Sequence, residues 1–243
     1  MSQLTSRFEK CRLRPMSGSP LELVEIVLAE VNGTATGAWK LALLELKTFA
    51  PDAESAARVV RAYESGRCEP WCAASLLGAI GHPDGYATAL SILWSAPGAL
   101  AESYAGPALA RMRGDEALSD LAAVLDDDSL PQRAHEGAAL GLSTLSDSRA
   151  DDVLLAAVDR GRVRTSVAGG VACERGIPSA RLISWLRGTD SRRRNLAAWT
   201  VFHLAAQGPV VRELKLTMQS ALVEAPLPFT AAQRDELRER LSN

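Results

Sequence analysis

Aromatic residues make up only 5% of the 243-residue chain. A core with so few rings must be aliphatic and alanine-rich, which suits closely packed helices better than a sandwich or barrel. Histidine is scarcer still, at three copies, and leaves little from which to assemble an imidazole-rich metal centre. Four cysteines, Cys11, Cys68, Cys72 and Cys173, stand too far apart in sequence for a disulfide framework. Cys68 and Cys72 could share a helix face, but Pro70 lies between them and no further ligand follows at zinc spacing. Buried, incidental thiols are the expectation.

Excess charge and long apolar runs are missing too. The formal net charge is −2 and the pI about 6.0, so the chain as a whole is biased toward neither nucleic acid nor anionic membranes. The longest uncharged runs, such as 85–101, carry Pro, Gly, Ser and Thr and fall short of the roughly 20 apolar residues of a spanning helix. The first fourteen residues mix charges without an apolar centre, unlike a secretory signal. A cytoplasmic protein without membrane contact is expected.

What the chain does have is a period. Small residues stand at Ala74, Gly106, Gly137, Ala168 and Ala198, each followed three positions later by an aliphatic: Leu77, Leu109, Leu140, Val171 and Val201. The steps between those aliphatics are 32, 31, 31 and 30 residues, the period of a helical-hairpin array. A residue with little side chain lets one helix approach the next, and the aliphatic a turn later fills the space between them.

Punctuation divides each period into two helices. Ser19-Pro20 opens a helix that Asn32-Gly33 closes; a second spans 39–49, and a third starts after Pro51-Asp52 and ends near Ser65-Gly66. Hairpins follow: 71–80 with 86–95, 101–112 with 116–125, 132–145 with 150–160, 164–175 with 179–187, and 193–206 with 210–223. Thr230 and Gln233 form a capping box for a polar last helix, 231–241, suited to closing an array. No linker splits the chain. The expectation is one all-α domain over 1–243, with irregular units in 1–66, regular ones in 67–206 and a cap in 207–243.

The stretch RAHEGAALGLSTLSDSRADDVLLAAV, 133–158, resembles a HEAT-like repeat of the short, alanine-rich kind found in phycobilin-lyase-type proteins. Carrying the likeness are the Arg seven residues before the aliphatic, the Ala-Leu-Gly ending the first helix, the Asp-x-Arg-Ala turn and the apolar second helix; Arg164 and Arg194 share the column of Arg133. The resemblance implies a right-handed α-solenoid of about six to seven hairpins, whose second helices line a concave face, and a role in binding macromolecules. Trp94 and Trp185 would then lie on the inner face.

Catalytic chemistry finds little footing. His135-Glu136 matches the pair from which the related deoxyhypusine hydroxylases build a di-iron site, but such a site needs several converging ligands. The corresponding positions in the other units are Cys72-Ala73, Tyr104-Ala105, Ser166-Val167 and Leu196-Ala197, so a surface His-Glu pair is expected instead. No G-x-S-x-G elbow occurs, and no phosphate loop follows a strand. The expectation is a protein without catalysis, cofactor or metal.

Charge is segregated locally. Residues 114–159 hold 11 acids against Arg133 and Arg149, a balance of −9; residues 160–194 hold nine arginines against Glu174 and Asp190, a balance of +7. One reading is a bipolar docking surface for another protein, with Trp94, Asp120, Asp127, Asp151, Asp152, Arg181, Trp185 and Arg187 as candidate partner-binding residues. A second takes the arginines as a phosphate footprint, as in HEAT-like DNA glycosylases, against which stands the acidic block beside them. A bilin-lyase-like chaperone is a third. The blocks lie on neighbouring helices about 8 to 10 Å apart and could also neutralise each other at their border.

Overall fold

A computed structural model describes residues 18–31, 37–98 and 100–242. The regular elements among them are helical: α1 (Pro20–Val31), α2 (Ala38–Leu46), α3 (Ala53–Glu64), α4 (Pro70–Ile80), α5 (Tyr86–Ser95), α6 (Ala101–Arg113), α7 (Leu118–Asp126), α8 (Gln132–Leu142), α9 (Arg149–Asp159), α10 (Thr165–Glu174), α11 (Ser179–Arg187), α12 (Ser191–Gln207), α13 (Arg212–Glu224) and α14 (Ala231–Ser242). Short 3₁₀ turns at Pro83–Gly85 and Gly114–Ala117 lead into α5 and α7. The fold is all-α, as the scarcity of rings and the helical spacing imply. The N-terminal fourteen residues and the Asn32-Gly33 stop lie outside the described residues.

Local chemistry sets the helix starts. Ser19 and Glu22 form a reciprocal box, with the Ser19 amide donating to the Glu22 carboxylate at 2.7 Å and the Glu22 amide to Ser19 Oγ at 3.3 Å. Thr230 and Gln233 repeat the arrangement at α14, at 2.9 and 3.3 Å. Asp52 caps α3 by accepting from the Ser55 amide at 2.8 Å. Helix α12 begins at Ser191, two residues before the expected start at 193, because the Asp190 carboxylate accepts from the amides of Arg192 and Arg193. Helix α8 stops at Leu142 rather than 145, since the amides of Ser143 and Leu145 reach back only three residues, to the carbonyls of Leu140 and Leu142.

The helices pack in two interleaved series. Each even-numbered helix lies against the next even one, from α2 to α14; among the odd ones α1 meets α3, α5 meets α7, α7 meets α9, and α11 meets α13. The column of small residues sits inside the even series. Ala74, Ala168 and Ala198 are fully buried, and so are the aliphatics Leu77, Leu109, Val171 and Val201, while Leu140 is half-buried. The last helix buries only Leu237 and Leu241, and the strap before it inserts Leu227 and Phe229.

Approach is closest between α6 and α8. A Cβ built on Gly106 would collide with the Gly137 carbonyl and lie 3.2 Å from the Gly141 amide nitrogen; one on Gly141 would lie 2.6 Å from the Gly106 carbonyl oxygen. Gly137 faces the Glu102 carbonyl carbon at 2.7 Å in the same way. Between α10 and α12, a Cβ on Gly169 would lie 2.9 Å from the Thr200 amide nitrogen. Backbone, which cannot swing aside as a side chain can, forms these contacts.

Gly106→Ala therefore forces α6 and α8 apart and costs about 1 to 3 kcal/mol, the usual range for overpacking. Gly208→Ala, where a new Cβ meets nothing within 4 Å, is neutral to about 0.5 kcal/mol. Urea unfolding followed by helical circular dichroism measures both, and equal effects would contradict the packing described.

Candidate functional site

The two charge blocks face each other across the helix seams. Asp126 pairs with Arg160, Asp128 with Arg162 and Asp159 with Arg193, each couple 34 positions apart. Arg164 grips Glu136 with two parallel bonds of 2.5 and 2.7 Å. Arg175, whose side chain is only 6% exposed, pairs with Asp151 and donates to the carbonyls of Leu142 and Leu145 at 2.8 Å and of Asp147 at 3.0 Å. Five of the nine arginines thus answer five of the 11 acids.

Other members of the acidic block serve locally. Asp115 accepts from the amides of Ser146 and Asp147, and the Ser146 side chain and these amides hold its carboxyl below the usual carboxylate range. Asp147 is lowered likewise by Arg149. The candidate Asp127 caps its own loop through Ser129, which lowers it too. Asp120 accepts a 2.6 Å bond from the Tyr86 hydroxyl. Burial and this bond push the Tyr86 phenol above its ordinary pKa of 10.0.

The remaining candidates divide. Asp152 is exposed at the start of α9 and pairs with nothing among the described residues. Trp185 is 9% exposed and carries the Arg181 guanidinium over its ring at 4.9 Å, and Trp94 is half-buried against the core. Neither ring stands free. Arg187 is exposed, donating to Thr217 Oγ1 at 3.2 Å and lying 3.7 Å from Glu213.

The three arginines of the Arg133 column take different partners. Arg133 donates to the Ala96 carbonyl at 2.9 and 2.7 Å and to the buried Glu102 at 3.1 Å, and Glu102 also accepts from the Gly98 amide at 2.8 Å. Ala96 and Leu100 hold positive φ values of 43° and 68°, strain of about 1 to 3 kcal/mol each that these bonds help to offset. Arg164 binds Glu136, and Arg194 the Gly188 carbonyl at 2.5 Å.

His135 is a correction. Expected on the surface, it is 4% exposed, its Nε2 lies 3.0 Å from the Asp127 carbonyl, and Glu136 turns instead to Arg164. The ring closes the connection between α7 and α8. Cys68, Cys72 and Cys173 are buried; a hydrogen bond between the first two lowers the Cys68 thiol and, with burial, raises Cys72. Among the described residues no three His, Cys, Asp or Glu side chains converge on a metal position, and no helix is long and apolar enough to cross a membrane.

One groove was missed from the sequence. The end of α11, the start of α12 and one side of α13 enclose about 510 Å³ lined by Arg187, Arg194, Glu213, Leu216, Ser220 and Glu224, among others. Leu216 is 55% exposed, and Val211 and Val223 beside it on the same segment are 55% and 82% exposed. The signal was there in Leu216 and Val223, spaced seven apart on α13: they form a second apolar stripe besides the buried Leu214, Met218 and Leu222. Comparison with protein-family models, curated proteins and solved structures finds no match for this chain.

Replacing Arg175 with Met leaves Asp151 and three carbonyls without their donor and destabilises the chain by about 3 kcal/mol or more, whereas Asp152→Lys changes stability by less than about 0.5 kcal/mol. Thermal unfolding of both variants tests the contrast. A phenol whose folded pKa is raised contributes stability present below pH 10 and lost as pH rises through the folded value. Alkaline stability of the parent accordingly falls above pH 10, and Tyr86→Phe flattens that limb; superimposable limbs would contradict it.

Proposed function

We propose that this chain is a non-catalytic protein-binding scaffold, a single right-handed α-solenoid of HEAT-like hairpins that holds a partner on its odd-numbered helices. The observation that carries the reading is the groove beside α13, where exposed Leu216 adjoins a rim of two arginines and two glutamates, with exposed Val223 two turns further along the same helix. Singly exposed leucines and valines are ordinary, but a cluster rimmed by mixed charge has the make-up of a protein interface, apolar at the centre and polar around it. The pairing of even with even and odd with odd helices, and the period of about 31 residues, support the solenoid reading.

The segregated charges take a different part from the one their blocks suggest. Half of them pair across neighbouring units, so the docking surface rests on what stays exposed: Asp152, Arg187 at the rim of the groove, and the α13 stripe. The nucleic-acid reading loses weight for the same reason, because arginines already facing carboxylates release few counterions on meeting a phosphate backbone.

Leu216→Glu combined with Val223→Glu leaves folding intact, since both side chains point to water, and removes the partners that co-purify with the parent chain from its source cells. An unchanged set of co-purifying proteins would overturn the proposal. Retention of duplex DNA at low salt, released steeply as salt rises, would support the nucleic-acid reading in its place.

A further inference from the structure

A second groove lies on the opposite series of helices. It encloses about 420 Å³ between α4 and α6, bordered by the end of α2 and by Thr144 just past α8. Its floor is small, Ala74, Gly78 and Ala108, because α4 and α6 approach so closely that a Cβ on Gly78 would lie 3.1 Å from that of Ala108. Tyr104, 41% exposed, forms a wall, and Leu44 on α2 is 61% exposed. Two cations, Lys47 and Arg111, line the groove and no acid does. Arg111 is anchored by donating to the Lys47 carbonyl at 3.0 Å.

The backbone adds one feature. Pro107 stands inside α6 and has no N–H to donate to the Ser103 carbonyl a turn earlier. Both residues line the groove, and Ser103 is exposed. The proline thus removes one backbone bond from the helix at the groove wall.

We infer that this groove docks a segment of a partner protein in which large apolar side chains alternate with Asp or Glu. The reading rests on the protein-binding function proposed above and adds a second contact surface. Small floor residues leave room for an apolar side chain, Tyr104 supplies a rigid flat contact, and Lys47 and Arg111 complement carboxylates flanking it. Cationic or polyanionic occupants fit less well: the first meets only positive charge, and the second finds only two cations, Lys47 and Arg111, for its many charges.

A random peptide library displayed on phage, selected against the full chain, is the test. The expected outcome is a consensus of aliphatic or aromatic residues next to Asp or Glu. A synthetic peptide of that consensus binds roughly tenfold more weakly to Tyr104→Ala and to Lys47→Glu, both surface changes, and as tightly to the α13 double variant as to the parent. No enrichment, a basic consensus, or affinity untouched by either substitution would overturn the inference. Binding lost in the α13 variant alone would place the peptide in the other groove, overturning this inference while leaving the general function standing.

Discussion

The structure depends on the nearness of α6 to α8 and of α10 to α12, which is possible only where a side chain is missing. Gly106, Gly137, Gly141 and Gly169 each meet backbone where a Cβ would stand. Helix axes normally sit about 8 to 10 Å apart, and the lower part of that range needs small residues at the crossing. With the even helices drawn together, alanine suffices to fill much of the remaining interior. A core so poor in rings then has no deficit to make up.

That closeness also explains the charges. When successive units stack tightly, a carboxylate on one lies beside a residue some 34 positions later, and the chain answers it there with arginine: Asp126 with Arg160, Asp128 with Arg162, Asp159 with Arg193. Exposed pairs of this kind contribute at most about 1 kcal/mol each. Their larger effect is on register, because a slipped unit would bring acid against acid. Arg175 does more, satisfying three carbonyls at the turn after α8 as well as Asp151. The acidic and basic blocks are two halves of one ladder, read along the chain instead of across it.

Helix content, most helix boundaries and the buried seam column were legible in the sequence because each follows from local spacing and capping. The α12 start lies two residues before the expected 193 because the Asp190 cap extends the helix to Ser191. His135 was misplaced because its environment comes from the loop after α7, which no periodicity reports. The candidate acids were read as a surface because one-dimensional charge counting cannot see a partner one unit away; Asp120 and Asp151 each have one, and Asp127 turns back to its own loop. The grooves were harder to read for a related reason: Leu216 and Val223 marked one apolar stripe, but each groove is formed by what three or four helices leave uncovered.

The functional proposals draw on these leftovers, two apolar grooves with different rims on opposite series of helices. Both presuppose the seam, and its most direct test is nuclear magnetic resonance of the labelled chain. Cross-relaxation between the Gly106 α-protons and the Gly141 amide proton, 35 positions away, is the predicted result, together with helical chemical shifts for α6 and α8. Helical shifts in both segments without that cross-peak would contradict the account.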